Sequence, residues 1–557
     1  MRTKLRTLAV AVCAFTAGTL MAASPLFQAD VGSLLPAGDY ILMEDVTFDP
    51  GTYTEAFWLN TNVNFDGGGN SITSTVPGSG FGLRSGYTDH SNSISNVTVR
   101  NCRVGIQLHR TFLGNMSIIN CTVEDCAQEG IWVRAETPNL PELCTIIDCT
   151  VTGNGYDGIR VSSFKDVFIS GCTVVGNSTG IFVGKSAGGT AVNNQDIEIR
   201  DNDVTNNNYR GIDVENVVTS SPAVENVIAD NIVTDNSNIG IHFRSCENGR
   251  VRDNISTDNG GSGLVLTPDN PAVAQGNFFQ GNTGYQVDTD DTDVVDNVVV
   301  GTGGDVMFVD GGTVVGNRVS GGRLQTVGTV VVDHNTFNSL PDHPAAIYIG
   351  QAGASTVTFT NNLFTDFLLS TTPFVVRKAN GSTMTYNNNV WWTPPGVGGS
   401  CPDGSNPYDQ TFPDSWLIAS FCADPAENPE FASTDINDDC YLYLSCDTSL
   451  NILTGDSAGS YIGAKPICGD VSGVLDGVFE QSSVDTDNDL LVDACDCVAC
   501  DTIIDDALDA ICNGAVPTNL PELQALIETE LSNALAGQVA CGTEAFCLHL
   551  INELRGL

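Results

Sequence analysis

One short phrase recurs along the chain and limits the folds that it can adopt. Each copy begins with Cys or Asn and a short apolar stretch, and about nine residues later reads Gly, then Ile or Leu, a variable residue, and Val, Phe or Leu. Six copies run as Cys121–Val133, Cys149–Val161, Cys172–Val183, Asn202–Val214, Asn231–Phe243 and Asn254–Leu266.

The first residue of the phrase is an anchor that continues well beyond these copies. We place Cys102 at the start of the series, and later anchors are Asn277, Asn297, Asn317, Asn335, Asn362 and Asn389, a period of about 24 residues. A second position follows five residues after the anchor, at Cys126, Asn154, Asn177, Asn207, Asn236, Asn259 and Asn282. This period, with β-branched residues alternating at period two, predicts a solenoid of parallel β-coils rather than a helical repeat.

The residue types of the phrase predict local roles. An asparagine tolerates the left-handed backbone conformation at a tight bend, and stacked copies can hydrogen-bond along the coil axis. We expect the glycine to supply the next bend and the two apolar residues after it to point inward. The variable residue between them then points outward.

These repeats resemble the right-handed parallel β-helix proteins, whose architecture is pectate-lyase-like. The stretches LLPAGDYIL (Leu34–Leu42) and NVNFDGGGNSI (Asn62–Ile72) are similar to the opening coils of such proteins, and NPEF (Asn428–Phe431) and YIGAKP (Tyr461–Pro466) are similar to a closing segment. The resemblance implies an all-β, single-stranded right-handed parallel β-helix over residues 31–395 and an end segment over residues 396–470. It does not define a chemistry, because the catalytic motifs of polygalacturonases and alginate epimerases are absent and GTYTE (Gly51–Glu55) is the only piece like a pectin methylesterase.

Stacking the coils aligns a row of outward residues that predicts a binding surface. The row contains Trp132, Arg160, Phe182, Asp213, His242 and Val265, and close to it are Arg134, Ser162, Lys185, Glu215 and Arg244. Arginines bind carboxylates and aromatic rings stack on sugars, so the row suits an acidic polysaccharide or a cell-surface glycan. If the protein is an enzyme, a polysaccharide lyase or a glycoside hydrolase, we expect Arg160 or Arg244 to hold a substrate carboxylate and Asp213 or His242 to move the proton.

A structural interpretation of the same row stays open. Outward charges on neighbouring coils commonly form ladders that add little stability, here Glu215 with Arg244 and Asp213 with His242. The protein would then be a non-catalytic surface, adhesion or spacer protein. A concave groove with unpaired polar groups favours binding, whereas mutually paired charges favour the spacer.

Composition and the amino terminus constrain location and partners. The 67 acidic residues exceed the 22 Lys and Arg, which gives a net charge of -45 that disfavours nucleic acid and anionic membranes. Residues 1–23 combine Arg2, Lys4 and Arg6 with an apolar stretch and small residues, as in a secretory signal peptide. We therefore expect a secreted monomer that does not insert into membranes.

The cysteines fit an extracellular protein. Eighteen remain after the signal segment, so disulfides are permitted. Stacked at the anchors, Cys102, Cys121, Cys149 and Cys172 are expected to be buried thiols or occasional disulfides. A metal site is disfavoured there because no histidine shares the ladder.

The stretch DTDNDLLVDACD within residues 484–500 predicts a Ca²⁺ site. Its carboxylates occupy positions 1, 3, 5, 9 and 12 of a twelve-residue loop, at Asp485, Asp487, Asp489, Asp493 and Asp496. The loop resembles dockerin-type and thrombospondin type 3 calcium loops, although Leu490 stands where glycine is expected. A solvated acidic linker is the alternative. Residues 501–557 predict a small helical, cysteine-rich module that attaches the protein to a partner or stabilises it.

Overall fold

A computed structural model describes the coils in detail. The described residues are 23–86, 91–110, 115–135, 143–184, 193–270, 272–301, 303–338, 347–349, 355–365, 376–378, 382–387, 389–391 and 420–422. The predicted signal segment up to residue 22, Lys185, the calcium loop and the carboxyl-terminal module lie outside these residues.

Each coil contributes one strand to each of three faces, which we number in chain order. Face 1 carries the Gly-Ile-x-Val strands, and all of its printed pairings are parallel. Its strands are Ser33–Leu35, Glu55–Leu59, Phe81–Ser85, Val104–Arg110, Ile131–Ala135, Ile159–Ser162, Ile181–Val183, Ile212–Glu215, Ile241–Arg244, Leu264–Thr267, Ile347–Ile349 and Val376–Lys378. The first strand of the fold, which belongs to face 2, begins at Ser24, earlier than the predicted start at residue 31.

Faces 2 and 3 complete the coil. Face 2 contains Ser24–Leu26, Gly38–Leu42, Val63–Asp66, Asn92–Ser95, Met116–Ile119, Leu143–Ile147, Asp166–Ser170, Ile197–Arg200, Asn226–Ala229, Gly249–Arg252, Ala272–Gln275, Ser355–Thr360 and Thr383–Asn387. Face 3 is a sheet of 16 strands: Val46–Phe48, Ser71–Ser74, Thr98–Arg100, Thr122–Glu124, Thr150–Thr152, Thr173–Val175, Asp203–Thr205, Ile232–Thr234, Ile255–Thr257, Phe278–Gln280, Val298–Val300, Arg318–Ser320, Thr336–Asn338, Leu363–Thr365, Asn389–Trp391 and Ser420–Cys422.

Faces 1 and 2 join in the later coils. Three long strands, Val287–Val295, Asp305–Val315 and Arg323–Asp333, pair with face 1 through one half and with face 2 through the other. Among the described strands, the two faces therefore form one sheet of 28 strands. Smaller elements are the 3₁₀ helix Gln28–Asp30 and the strand pair Asn194–Gln195 and Val217–Val218.

The connections between the faces differ in length. From face 2 to face 3 the connection is two residues in successive coils, as at 201–202, 230–231 and 253–254. From face 1 to face 2 its length varies: residues 136–142 separate two strands in one coil, whereas the strand Val287–Val295 runs through without a break. Variation in coil length is thus concentrated beside face 1.

The asparagines form two continuous buried ladders, which confirms the predicted stacking. Asn202, Asn231 and Asn254 lie in register: the Nδ2 of Asn202 donates to Asn231 Oδ1 at 2.9 Å, and the Nδ2 of Asn231 donates to Asn254 Oδ1 at 2.9 Å. This ladder, between faces 2 and 3, runs on to Asn389. The second ladder, between faces 3 and 1, runs from Asn154 to Asn282 and ends on Gln286.

The predicted left-handed role of the ladder asparagines is wrong. Where the residue before a ladder asparagine is described, that residue adopts the left-handed conformation, for example Asp201 with φ 54° before Asn202, and Asp230 with φ 58° before Asn231. The ladder asparagine instead has a buried amide whose hydrogen bonds replace those that the bend removes from the backbone ladder. The bend and its hydrogen bonds therefore need two adjacent residues.

The predicted bend at the glycine of Gly-Ile-x-Val is also wrong. Gly211 does not have a positive φ; it is required because its coil packs closely on the next. A Cβ there would lie 2.7 Å from the carbonyl oxygen of Gly240 and 2.4 Å from Val233 Cγ1. The glycine column lets neighbouring coils meet at the corner between faces 3 and 1.

The interior holds a single apolar cluster that includes stacked thiols. Cys102, Cys121, Cys126, Cys149 and Cys172 are buried, and none of these five forms a disulfide in the described part of the chain. The pairing Val99↔Val123 places Cys102 beside Cys126, so Cys102 begins the second ladder and not, as predicted, the anchor ladder. The hydrogen bond with the Cys149 thiol, together with burial, raises the pKa of Cys121 well above its ordinary value.

Among the described residues, no helix combines the length and the apolar composition needed to cross a membrane.

Candidate functional site

The predicted outward row exists on face 1. Strand pairing stacks Trp132 on Arg160, Arg160 on Phe182, Phe182 on Asp213, Asp213 on His242 and His242 on Val265. The row extends in both directions beyond the predicted residues. Earlier members are Trp58, Arg84 and Gln107, and later members are Asp288, Phe308 and Gln325.

The early coils of this row pair aromatic rings with guanidinium groups. The Cζ of Arg134 lies 4.5 Å from the ring centre of Trp132, and the Cζ of Arg160 lies 4.5 Å from that of Phe182. Arg84 lies 4.4 Å from the ring of Phe81 in the same way. Trp132 and Phe182 are partly exposed, so each ring can still meet a ligand. Such cation–π contacts also hold the guanidinium groups at fixed positions.

Two polar atoms near Trp132 have no hydrogen-bond partner among the described residues. They are the indole Nε1 of Trp132 and the Oε1 of Gln107, whose side chain pairs with Trp132 across the coils. Nearby His109 packs edge-on against Trp132 with ring centres 5.4 Å apart. Burial lowers the pKa of His109 to about 3, with Arg134 and Arg84 adding to the effect, so its imidazole is neutral. One coil before Gln107, Arg84 in the same row forms an ion pair with Glu55, with its Nη1 3.8 Å from Glu55 Oε2.

The middle coils hold a buried carboxylate network. His242 Nδ1 lies 2.8 Å from Asp213 Oδ1, and Arg210 Nη1 donates to Asp213 Oδ2 at 2.7 Å. Asp213 and His242 are 4% and 6% exposed, so they lie on the outer side of the sheet but are largely covered, which the alternation alone did not predict. Burial raises the pKa of Asp213, but the hydrogen bond with His242 and the charge of Arg210 outweigh it, and the net pKa is lowered.

Other predicted site residues are also in ion pairs. Arg244 contacts Glu215 on the neighbouring coil, as the structural interpretation predicted. Arg160 donates to Asp157 Oδ2 at 2.7 Å. Paired charges therefore dominate the middle coils, whereas aromatic rings and unpartnered polar atoms mark the early coils. The predicted roles of Asp213, His242, Arg160, Arg244, Trp132, Arg134, Phe182 and Glu215 stay predictions.

The sequence reasoning missed the residues immediately before the glycine of each phrase. They are Glu129, Asp157, Thr179 and Arg210 on successive coils. Glu129 and Asp157 are 7% and 8% exposed, and burial raises the pKa of both carboxyls. A charged residue precedes the Gly-Ile pair in three of these coils, at Glu129, Asp157 and Arg210, and this signal was visible in the sequence.

The late coils of face 1 are acidic. Asp288 and Asp290 lie on one strand and Asp310 pairs with Asp290 on the next. Burial and the neighbouring carboxylates raise the pKa of both Asp288 and Asp290. Within the described ranges, no group of three or more His, Cys, Asp or Glu side chains is arranged to hold a metal ion.

These coils, ladders and faces define a parallel β-solenoid. A family model described as "right handed beta helix region" matches residues 39–197 and 189–339, together more than half of the 557 residues. The chain belongs to this right-handed β-helix family, which confirms the predicted parallel β-helix. The predicted carboxyl-terminal helical module lies outside the described residues and stays a prediction. No curated protein matches the sequence.

Several solved structures share the general architecture at low identity. The A-module of a mannuronan C-5 epimerase from Azotobacter vinelandii is 16% identical, covers 65% of this chain and 91% of its own, and has a TM-score of 0.33. A periplasmic alginate epimerase is 13% identical, with 63% and 77% covered and a TM-score of 0.28. A tailspike of E. coli bacteriophage HK620, in complex with a hexasaccharide, is 13% identical, with 68% and 62% covered and a TM-score of 0.19. At these scores the likeness supports no statement about what this chain binds.

Proposed function

We propose that this protein binds an acidic polysaccharide along face 1, outside the cell. The observation that supports this most strongly is the series of aromatic–guanidinium pairs in the early coils, Phe81 with Arg84, Trp132 with Arg134 and Phe182 with Arg160. Each pair offers a flat apolar surface on which a sugar ring can stack. A linear polymer fits because the pairs follow the coil axis.

The unpartnered atoms near Trp132 support the same function. A buried polar group without a hydrogen bond costs about 1–3 kcal/mol, and a ligand hydroxyl that satisfies it recovers part of that cost. Trp132 Nε1 is a donor and Gln107 Oε1 is an acceptor, and the two residues lie on adjacent coils. Both atoms are buried, so a hydroxylated ring reaches them only if the side chains that cover them move.

Binding is tested with immobilised polygalacturonate, alginate and hyaluronate, with neutral dextran as the comparison. We expect retention by at least one acidic polymer, weakening as salt rises because exposed charge pairs are screened. Trp132→Ala should weaken retention by about tenfold or more, as expected for loss of a central aromatic contact. Phe308→Ala, in the same row but among acidic late coils, is the matched control.

The alternative function is a non-catalytic spacer or adhesion protein. It is favoured by the paired charges of the middle coils, Arg244 with Glu215 and His242 with Asp213. Absence of retention by every polymer would support the spacer and reject glycan binding.

A further inference from the structure

We propose that Tyr156 and Tyr209 are sugar-binding residues that, together with Trp132 and Phe182, hold four consecutive sugars of a linear acidic polymer, one on each coil. This inference rests on the proposed function, because it assigns further residues to the same surface. It also specifies the polymer as an extended, unbranched chain that repeats every two sugars.

Two tyrosines are exposed at the corner between faces 3 and 1. Tyr156 is 54% exposed and Tyr209 is 42% exposed. They lie in one column, because the N–H of Ser178 donates to the carbonyl of Tyr156 at 2.8 Å and the N–H of Tyr209 donates to the carbonyl of Ser178 at 2.8 Å. Ser178 is small, so the column presents one ring, a gap, and a second ring two coils farther along the axis.

Face 1 carries aromatic rings with the same spacing of two coils. Strand register places Trp132 beside Arg160 and Arg160 beside Phe182, so one coil separates the two rings. Two coils correspond to roughly 10 Å, since each coil rises by about 4.8 Å. The members of each line are stacked on one another, so this spacing runs along the coil axis.

The two lines of rings are out of phase by one coil. At these two positions, each of four successive coils has one aromatic ring, on face 1 in the first and third coils and at the corner in the second and fourth. In coil order the rings are Trp132, Tyr156, Phe182 and Tyr209. The other position is polar in every coil and holds, in the same order, Gln128, Arg160, Ser178 and Asp213. A track of rings on alternating sides therefore follows the axis.

The corner and face 1 border one continuous surface on the coil of Tyr209. The Cζ of Arg210 lies 4.7 Å from the ring centre of Tyr209, and the Nη1 of the same guanidinium donates to Asp213 Oδ2 at 2.7 Å. One side chain thus spans the sideways offset between the tyrosine and the outward row. Its contact with the ring also holds the tyrosine in place from one side.

The coil of Tyr156 has an equivalent bridge. Asp157 follows Tyr156 in the chain, and the Nη1 of Arg160 donates to Asp157 Oδ2 at 2.7 Å. The Cζ of Arg160 lies 4.5 Å from the ring centre of Phe182 on the next coil. The ion pairs of these coils therefore lie between the two lines of rings. Stacking of a sugar on the rings does not require these ion pairs to break.

A chain with a repeat of two sugars fits this alternation. An extended chain of pyranose rings advances by about one ring length per sugar, which is close to the rise of one coil, about 4.8 Å. Successive sugars in such a chain are turned over, so the same edge points to opposite sides at alternate sugars. Each sugar can then stack on an aromatic ring on the side where the track provides one.

The length of the track is tested with the full-length protein and size-fractionated oligosaccharides of polygalacturonate, alginate and hyaluronate. Calorimetry measures the dissociation constants for chains of two, four and six sugars. For at least one polymer, we expect the tetrasaccharide to bind about tenfold more tightly than the disaccharide or better, because it reaches twice as many rings. The hexasaccharide should add less than about threefold, since it reaches no further ring of the track.

Substitutions test the two tyrosines directly. Tyr156→Ala and Tyr209→Ala should each weaken tetrasaccharide binding by about tenfold, as expected for loss of a stacked aromatic ring. Tyr156→Phe and Tyr209→Phe keep the ring and should bind like the unaltered protein. Tyr53→Ala is the matched control and should leave binding unchanged, because Tyr53 is also 42% exposed but precedes the strand Glu55–Leu59, three coils before Trp132.

Chemical protection gives a readout that a purely structural role would not change. A saturating concentration of tetrasaccharide should protect Tyr156 and Tyr209 from acetylation by N-acetylimidazole, because the sugar covers their rings. Tyr53 should react at an unchanged rate. Mass spectrometry of peptides measures the three rates separately, and equal rates with and without tetrasaccharide at Tyr156 and Tyr209 would reject the track.

The outcomes separate this inference from the function on which it rests. If no polymer is retained, the proposed function fails. If a polymer is retained and Trp132→Ala weakens retention, but both tyrosine-to-alanine variants bind normally, the corner track is rejected and the proposed function stands. A disaccharide that binds as tightly as the tetrasaccharide also rejects the track. An equal loss in the phenylalanine variants rejects stacking as the role of the two rings.

Discussion

At the scale of the residue, one buried amide serves several backbone groups at once. Asn231 accepts from the backbone N–H of Asn202 at 3.1 Å and donates to the carbonyls of Ile199 and Ala229 at 2.9 and 2.8 Å. It is 1% exposed, so no water replaces these bonds. An apolar residue here would leave donors and acceptors buried without partners.

We expect Asn231→Ala to lower the free energy of unfolding by about 3 kcal/mol, because several buried groups lose a partner at about 1–3 kcal/mol each. Denaturant titration followed by circular dichroism measures the change. Asn208→Ala, at an exposed asparagine of the neighbouring coil, is the control and should change stability by less than about 0.5 kcal/mol. Equal effects would mean that the ladder is not what stabilises the corner.

The glycine column gives a second prediction. Gly211→Ala places a methyl group 2.7 Å from the carbonyl oxygen of Gly240, so the coils must separate, at a cost of about 1–3 kcal/mol. Gly51→Ala, whose nearest contact would be Asp49 Oδ1 at 3.3 Å, is the control. Thermal melting compares the two variants. An unchanged midpoint in Gly211→Ala would show that the coils can accommodate the added methyl group.

These two residue types also show how far the sequence could be interpreted. Period and register could be predicted because each coil contacts its neighbours, so a pattern local in sequence is local in space. The roles of Asn and Gly were assigned by usual preference, and both were wrong. Left-handed φ falls on Asp201 beside Asn202, and Gly211 is fixed by a carbonyl one coil away. Neither distinction follows from a residue's identity alone.

At the scale of the element, the thiols inside the coils make stability depend on pH. Burial raises the pKa of Cys246 to about 12, above the ordinary value of about 8.5. A folded pKa above the unfolded one contributes stability that is complete below about pH 8.5 and is lost as pH rises toward about 12.

We therefore expect the free energy of unfolding to fall between these pH values, by up to about 1.4 kcal/mol per pH unit from this one thiol. Cys246→Ala should be less stable at neutral pH and should show a shallower alkaline decline. Urea titrations at several pH values measure both slopes. Parallel slopes would mean that Cys246 ionises equally in both states.

The predicted calcium loop lies outside the described residues and stays a prediction. If Asp485, Asp487 and Asp489 bind Ca²⁺, saturation at a hundred times the dissociation constant should stabilise the folded loop by about 2.7 kcal/mol. Calorimetry with Ca²⁺ and with chelator would show a shifted transition. Asp487→Ala combined with Asp489→Ala should remove the shift. Identical scans with and without chelator would favour the acidic linker.

At the scale of the whole molecule, charge opposes compactness. A net charge of -45 implies self-repulsion along the rod, which added salt screens as the Debye length falls from about 30 Å at 0.01 M to about 8 Å at 0.15 M. We expect sodium chloride to raise the thermal midpoint over this range. Sucrose of equal osmolality is the control. A midpoint that does not rise would mean that local ion pairs already offset the repulsion.

The candidate site could be predicted only in part, for reasons that belong to the whole molecule. The row from Trp132 to His242 followed from coil register alone. The burial of Asp213 and its contact with Arg210 could not, because they depend on the side-chain conformation of Arg210, which lies just before the strand Ile212–Glu215. Strand register determines which residues are neighbours, whereas ion pairing determines which of their charged groups can still contact a ligand.

The connections at the corners of the coil differ in how much their length varies. After the first two coils, the described connections from face 2 to face 3 are two residues long from 96–97 to 361–362, while the connections from face 1 to face 2 differ in length from coil to coil. The connections from face 3 to face 1 differ as well, from six residues at 206–211 to two at 321–322, so the chain length varies on both sides of face 1. The stacked strands thus stay constant while the connections next to the proposed glycan surface vary in length. Exchanging these connections is the direct way to change which glycan the protein binds.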